Sequence, residues 1–479
     1  MMTIALIALP FIVGFSGYLF PKFIRHLALV VALASLGYGL QRILDGSSLT
    51  LQLLDQFGVT LIADSLSGYF ILTNAVVTIA VILYCWHTSK TAFFYTQTII
   101  LHGSINAVFI CADFISLYVA LEVISIAAFL LITYPRTDRS IWVGLRYLFI
   151  SNTTMLFYLI GVVLVYQANH SFAFAGLQNA PTEAIALIFL GLLTKGGIFV
   201  SGLWLPFTHS ESETPVSALL SGVVVKTGVF PLVRCALMIE DVGPILQVFS
   251  LGTAFLGVSY AIFEKDTKRM LASSTISQLG FVLAAPTAAG FYALTHGLAK
   301  ASLFLIAGNL PSRDFQELRR NLLPKEIWMV LAIASLSISG LPLIAGFGAK
   351  TLTLKQLTSW HAIGMNIAAI GTAIVFSKFI FLPFASRSEL LQKLALRKGF
   401  WWAVILLISG LIIANSSYLE AYTTFNILKS LATIGIGWLA YLLVFQRLIL
   451  KFPQAPEKLE HLMGAMSLML ILLFGMALT

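Results

Sequence analysis

Apolar runs of about 20 residues follow one another almost from end to end of the chain, separated by short polar stretches. They fall at roughly 3–20, 26–41, 65–86, 92–112, 114–133, 143–166, 183–203, 215–238, 244–263, 271–288, 290–308, 327–357, 360–385, 399–416, 425–446 and 461–478. Runs of this length with few internal charges read as membrane-spanning helices, so the pattern predicts an all-α polytopic membrane protein with about 14–16 transmembrane helices. Two runs interrupt themselves. The seventh holds Lys195-Gly196-Gly197 and ends on Trp204-Leu205-Pro206; the twelfth holds Ser339-Gly340-Leu341-Pro342, then Gly346, Gly348 and Lys350. Gly and Pro break the helix ladder, and a membrane tolerates broken backbone only where protein buries it or water reaches it. The breaks lie five spans apart. That odd spacing gives the two helices opposite directions, as in an inverted repeat around an ion or substrate site.

Composition agrees: 59% of the 479 residues are hydrophobic and 10% are charged, far from the roughly 25% charged of a soluble domain. The net charge of +9 belongs to alternate loops rather than to a nucleic-acid surface. Lys22 and Arg25, Lys90, Arg136 and Arg139, Lys265 to Arg269, Arg313 to Lys325, Arg387 to Lys398, and Arg447 to Lys458 follow odd-numbered spans. The intervening loops are nearly bare apart from Arg42. By the positive-inside rule both termini face away from the cytoplasm. The first apolar run lacks a basic n-region and a small-residue cleavage site, so it reads as a retained helix. Cys85, Cys111 and Cys235 are scattered, with no metal or cluster spacing. Walker A, GxGxxG and HExxH patterns are also missing from the sequence, so no cofactor, metal site or covalent chemistry is expected.

Ionisable residues deep in these runs are costly and mark function by default. Glu122 lies about 13 Å past Asp113 by helix rise, near the midplane. Lys195 and Lys226 sit equally deep in their own runs. His296 and Lys300 are four apart and share a helix face. Lys350 follows the second break. Ser273 with Ser277, and Ser274 with Gln278, are i,i+4 polar pairs suited to helix packing or to a hydrated path. Lys378 is within snorkelling reach of a basic loop, and Asp64 reads as an interfacial cap. His209, Glu211 and Glu213 fall in a loop between spans, either solvated or a mouth that collects cations.

These residues resemble the proton-translocating, antiporter-like subunits shared by respiratory complex I, membrane-bound hydrogenases and Mrp-type Na+/H+ antiporters. LYVALEVISIAAFLLI looks like that family's Glu-bearing helix. K-x6–8-WLP, TPVSALLSG, VKTGVFPLVR, SSTISQLGF, THGLAKASLFL and SGLPLIAGFGAK match further blocks in order. The chain departs at Gly202, where many members carry His, and in THSESETPVS, where many have an Ala-Pro pair. KGGIFVSGLWLP is closest to the D-like subunits of the Mrp branch.

The resemblance implies two inverted five-helix repeats with broken helices and a core at 61–385. The helices of 1–60 precede that core, and those of 386–479 form a peripheral extension. It also implies a Glu122–Lys195 pair, a bridging Lys226, a His296 and Lys300 relay, and an exit-side Lys350.

The function expected is translocation of protons, with Na+ as the second candidate ion, within a multisubunit Na+/H+ antiporter. Its partners would be other membrane subunits and the lipid bilayer. The alternatives are a proton-pumping subunit of a quinone-reducing or hydrogenase complex, and a helical scaffold or unrelated solute carrier.

Overall fold

The structure, a computed structural model, describes residues 1–53, 58–240, 242–386, 398–447 and 458–477. Most of the 448–460 linker and the basic residues Arg387, Lys393, Arg397 and Lys451 lie outside the described residues. Every apolar run expected from the sequence carries at least one helix. The first six are α1 (Met2–Ser16), α2 (Ile24–Asp45), α3 (Ser65–Cys85), α4 (Ala92–Val108), α5 (Phe114–Ile132) and α6 (Asp138–Asn169). The broken seventh is α7 (Thr182–Gly196) and α8 (Leu205–Glu211), and the eighth is α9 (Thr214–Leu219) and α10 (Lys226–Met238). Then come α11 (Val242–Phe263), α12 (Thr267–Ala284), α13 (Ala289–Ala307), the single turn α14 (Phe315–Leu318), α15 (Lys325–Ser339) and α16 (Ala345–Lys355). The remainder are α17 (Ser359–Ile380), α18 (Lys398–Asn415), α19 (Thr424–Ala440) and α20 (Leu459–Ala477). Among the described residues 12 helical segments are long and apolar enough to cross a membrane, with α7–α8 and α9–α10 each counted as one. The rest fall short because they are broken, short or polar. An antiparallel hairpin, Leu49–Gln52 with Thr60–Ala63, fills the loop between α2 and α3.

Local chemistry sets the helix starts. Asp64 caps α3 by accepting from Ser67 N at 2.9 Å, and Asp113 caps α5 by accepting from Ser116 N at 2.7 Å. Thr137 and Ser140 form a reciprocal capping box on α6, relieving the free N–H groups of a first turn.

The two breaks are built alike. Both α7 and α15 are 15 residues long and start behind a proline. Each ends on a glycine with positive φ, Gly197 at 66° and Gly340 at 93°. Ile198 N donates to Leu193 O, and Leu341 N to Leu336 O, both at 2.9 Å. This is the six-to-one closure that a left-handed glycine permits.

Three sequence expectations change. Residues 205–211 are not loop: Pro206, within the first turn, starts α8 rather than ending a helix, because its fixed φ suits a first turn. The eighth run carries a π turn, Leu220–Val224, between α9 and α10. The tail is only partly peripheral. Its first helix, α18, packs against α3 and α13, whereas α19 packs on α17 and α20 on α7. All of α13 is buried, so the centre of the bundle lies where the polar residues of α10, α12 and α13 meet.

Candidate functional site

Lys195 ends α7 with its side chain buried. Its ammonium donates to the Leu121 carbonyl at 3.3 Å and to the Ser125 hydroxyl, which lies 3.2 Å from Ser151 Oγ. Glu122 stands near enough to act electrostatically on Lys195 but makes no direct hydrogen bond or salt bridge with it among the described residues, and its Oε1 atom is buried without a hydrogen-bond partner. Helix geometry gives the reason. Leu121 and Ser125 point their oxygens at the ammonium, while Glu122 is turned about 100° from Leu121 and about 60° from Ser125. Its carboxylate lines a separate cavity of about 640 Å3 with Tyr118, Arg146 and Asn152, on the α5–α6 flank.

Lys226 begins α10 and is wholly buried. Its ammonium turns back onto the carbonyls of Ser221, at 3.4 Å, and Gly222. Both carbonyls belong to the π turn, Leu220–Val224, and such turns recur at functional sites. The same ammonium would lie 3.4 Å from a Cβ at Gly297, which places it beside His296. His296 is buried with neither ring nitrogen hydrogen-bonded. It lines a void of about 10 Å3 with Gln278, Tyr292 and Ser337, room for about one water. Gln278 is committed at both ends, donating to Thr372 Oγ1 at 3.2 Å and accepting from Tyr292 at 2.8 Å. The buried Ser277 hydroxyl makes no hydrogen bond. Lys300 donates to Leu271 O at 2.9 Å and sits 5.1 Å from the Phe376 ring centroid. Lys350, past the second break, donates to Ser339 O at 3.3 Å and lies 5.4 Å from the Phe281 ring centroid.

Four amines thus stand in the bundle interior, and each is held by backbone or hydroxyl oxygen rather than by a carboxylate. Lys378 differs. It donates to Ala261 O at 3.0 Å and Glu264 O at 2.8 Å, tying off the C-terminal end of α11, where cations are favoured.

The remaining candidates gather at one end of the bundle. His209 is buried in α8 and stacks on Phe304 at 4.9 Å, which overturns its expected place in a solvated loop. Glu211 pairs with Arg139 at 2.9 Å, and Glu213 pairs with Lys90. Beside them Lys268 donates to Ser212 O at 3.0 Å, and Arg313 bridges Ser210 O at 3.0 Å and Asp266 at 2.8 Å. Lys268 was legible in the sequence only as one more loop charge; its burial places it in this cluster. Asp64 is more than a cap. Its carboxylate takes both terminal nitrogens of Arg234, one at 3.0 Å, and ties α3 to α10.

Known proteins resemble this chain in sequence and in fold. The D-type subunit of a Na+/H+ antiporter from Alkalihalophilus pseudofirmus is 26% identical over 355 residues, covering 67% of this chain and 72% of that one. The N-type subunit of an NADH-quinone oxidoreductase from Desulforudis audaxviator is 29% identical over 365 residues, covering 68% and 72%. A chain of the Mrp complex from a Dietzia species shares the fold at a TM-score of 0.76 and 20% identity. It is matched by 99% of this chain, which spans 59% of that longer one. The family described as "NADH:quinone oxidoreductase/Mrp antiporter, TM" matches residues 111–377, more than half the chain. The chain belongs to the NADH:quinone oxidoreductase/Mrp antiporter transmembrane family.

Proposed function

We propose that this chain is an ion-translocating membrane subunit of a multisubunit complex, and that it moves protons, with Na+ as the candidate counter-ion. One observation carries the reading. Lys195, Lys226, Lys300 and Lys350 are buried on neutral oxygens, with unpartnered His296 beside Lys226. A buried lysine held by a carboxylate is locked in its charged form. One held by carbonyls can give up a proton and take another. Ser277 and Gln278 line the central stretch of this path. His209, Glu211 and Glu213 form its entry at the charged end, and Lys350 its exit past the second break. The working core is 61–385.

The Glu122 flank supports a multisubunit assembly. A carboxylate with one buried, unpartnered oxygen opens on a face where Val119 and Ile126 are more than half exposed. Hydrocarbon against a carboxylate is unfavourable, so this half-exposed face, which the chain's own α20 reaches only at Leu459, suits a helix of a partner subunit. The distribution of basic loops supports both termini lying outside the cytoplasm, in a bacterial plasma or inner membrane.

The antiporter reading is tested by purifying the intact complex and measuring proton exchange in vesicles on addition of Na+. Exchange coupled to Na+ in a complex without redox subunits is expected. Co-purification with iron–sulfur subunits, and no response to Na+, moves the protein to the redox-driven branch, which the similarity to the NADH-quinone oxidoreductase subunit favours.

A further inference from the structure

A cavity of about 240 Å3 lies among α16, α17 and α19. Lys350 and Lys355 reach it from α16, Asn366 from α17, and Asn426, Lys429 and Ser430 from α19. No aspartate or glutamate lines it. Three lysines therefore line a volume with room for several waters, with no counter-charge in the wall. Lys355 and Lys429 are exposed side chains with no ion pair among the described residues. Like charges gathered at a low-dielectric wall repel one another, so holding them there favours an anion between them.

The position of α19 is not incidental. Ser430 Oγ donates to Gly340 O at 2.6 Å, pinning the helix onto the second break. Each amide has one N–H used, Asn366 on Ala362 O and Asn426 on Ala421 O, which leaves a second N–H for a ligand. Depth also matters. Lys429 is five residues into α19 and Lys355 is the last residue of α16. Both therefore lie within about 7.5 Å of a helix end at 1.5 Å per residue, at headgroup level rather than at the midplane.

We propose that this cavity binds a phosphate group, with Lys350, Lys355 and Lys429 as its cationic wall and the amides of Asn366 and Asn426 as hydrogen-bond donors. The phosphate belongs either to an anionic lipid headgroup or to free inorganic phosphate. Bound there, it sets a negative charge beside the last amine of the proposed path and makes α19 part of the exit rather than an outer layer. Binding can be read without transport, so failure of the phosphate site and failure of the ion path remain distinguishable.

The test uses the full chain with its co-purifying subunits in nanodiscs. One set holds phosphatidylcholine alone and the other adds phosphatidylglycerol. Native mass spectrometry counts retained phosphatidylglycerol, and equilibrium dialysis in the phosphatidylcholine discs measures labelled inorganic phosphate. Wild type is expected to retain one of the two. Lys355→Gln with Lys429→Gln weakens that retention roughly 30-fold, at the usual worth of a surface lysine toward an anionic headgroup. The double Lys→Arg variant restores it. Retained lipid without phosphate binding assigns the headgroup, and phosphate binding without anionic lipid assigns the free ion; both support the site. Both lysines are exposed, so the Gln pair leaves packing intact, which co-purification verifies. Binding of neither ligand, or equal binding by wild type and the Gln pair, overturns the proposal.

Discussion

Lys195→Met removes the ammonium at the end of α7 and keeps most of its volume. The groups that held it stay satisfied: Ser125 Oγ still donates to Leu121 O at 2.7 Å and still lies 3.2 Å from Ser151 Oγ. Losing hydrogen bonds from a charged donor costs about 1.5–3 kcal/mol. Relief of ammonium desolvation, several kcal/mol in a real interior, acts the other way. The balance is a stability change of about 2 kcal/mol or less in either direction, so the chain still assembles. The proton site is lost, and a missing proton-transfer group costs about 100-fold or more in rate. The assay is dye-reported proton exchange in proteoliposomes, normalised to assembled complex by co-purification. Assembled Lys195→Met complex exchanging at the wild-type rate refutes the role of this amine. Failure to assemble refutes the packing argument instead.

Glu122→Gln is expected to leave thermal stability within about 1 kcal/mol, because no direct salt bridge to the carboxylate is broken among the described residues, while lowering exchange. A large drop in stability would mean that the carboxylate is paired after all. Gly228→Ala would set a Cβ 2.2 Å from Gly196 N and 2.4 Å from Leu192 O. Backbone atoms on both sides leave nothing to yield, so a loss of about 3 kcal/mol or more and failed assembly are expected; normal yield of assembled complex would contradict the close approach of α7 and α10. Asp64, outside the spans, supplies a pH dependence. Burial raises its carboxyl, but the Arg234 contact and Ser67 outweigh that and hold it below the usual carboxylate range. A depressed folded value gives stabilisation that is full above the unfolded value, about 4, and fades as pH falls through the folded one. Wild type should therefore melt higher than Asp64→Asn at neutral pH and converge with it below about pH 4. A gap that persists in acid counts against the bridge.

Much of the fold was legible because span length and loop charge are local properties. The run at 114–133 and the cap at Asp113 needed no partner to be recognised. The breaks were legible too, since Gly197 and Gly340 owe their conformational freedom to their own lack of a Cβ. Other features depend on residues distant in sequence. The hairpin at 49–63 pairs two four-residue strands too short to show a period. His209 was misplaced because Pro206 reads equally well as a stop or as a first turn; packing on Phe304 decides it. Lys268 was indistinguishable from other basic residues near loops, and Lys378 could be read as snorkelling, until Ser212, Ala261 and Glu264 placed carbonyls against them.

The sequence by itself determined that this chain lives in a membrane, where its helices run, where two of them break, and which amines are stranded at depth. Those facts follow from hydropathy and from backbone chemistry within a few residues. Tertiary structure alone decided what each stranded group touches. It set Lys195 on Leu121 and Ser125 and turned Glu122 toward a separate flank. It seated Lys226 on carbonyls of a π turn, and brought Lys429 from near the chain's end to the cavity of Lys350. Apart from the carbonyls four and five residues before Lys226, these partners come from distant parts of the chain, which no local spacing encodes.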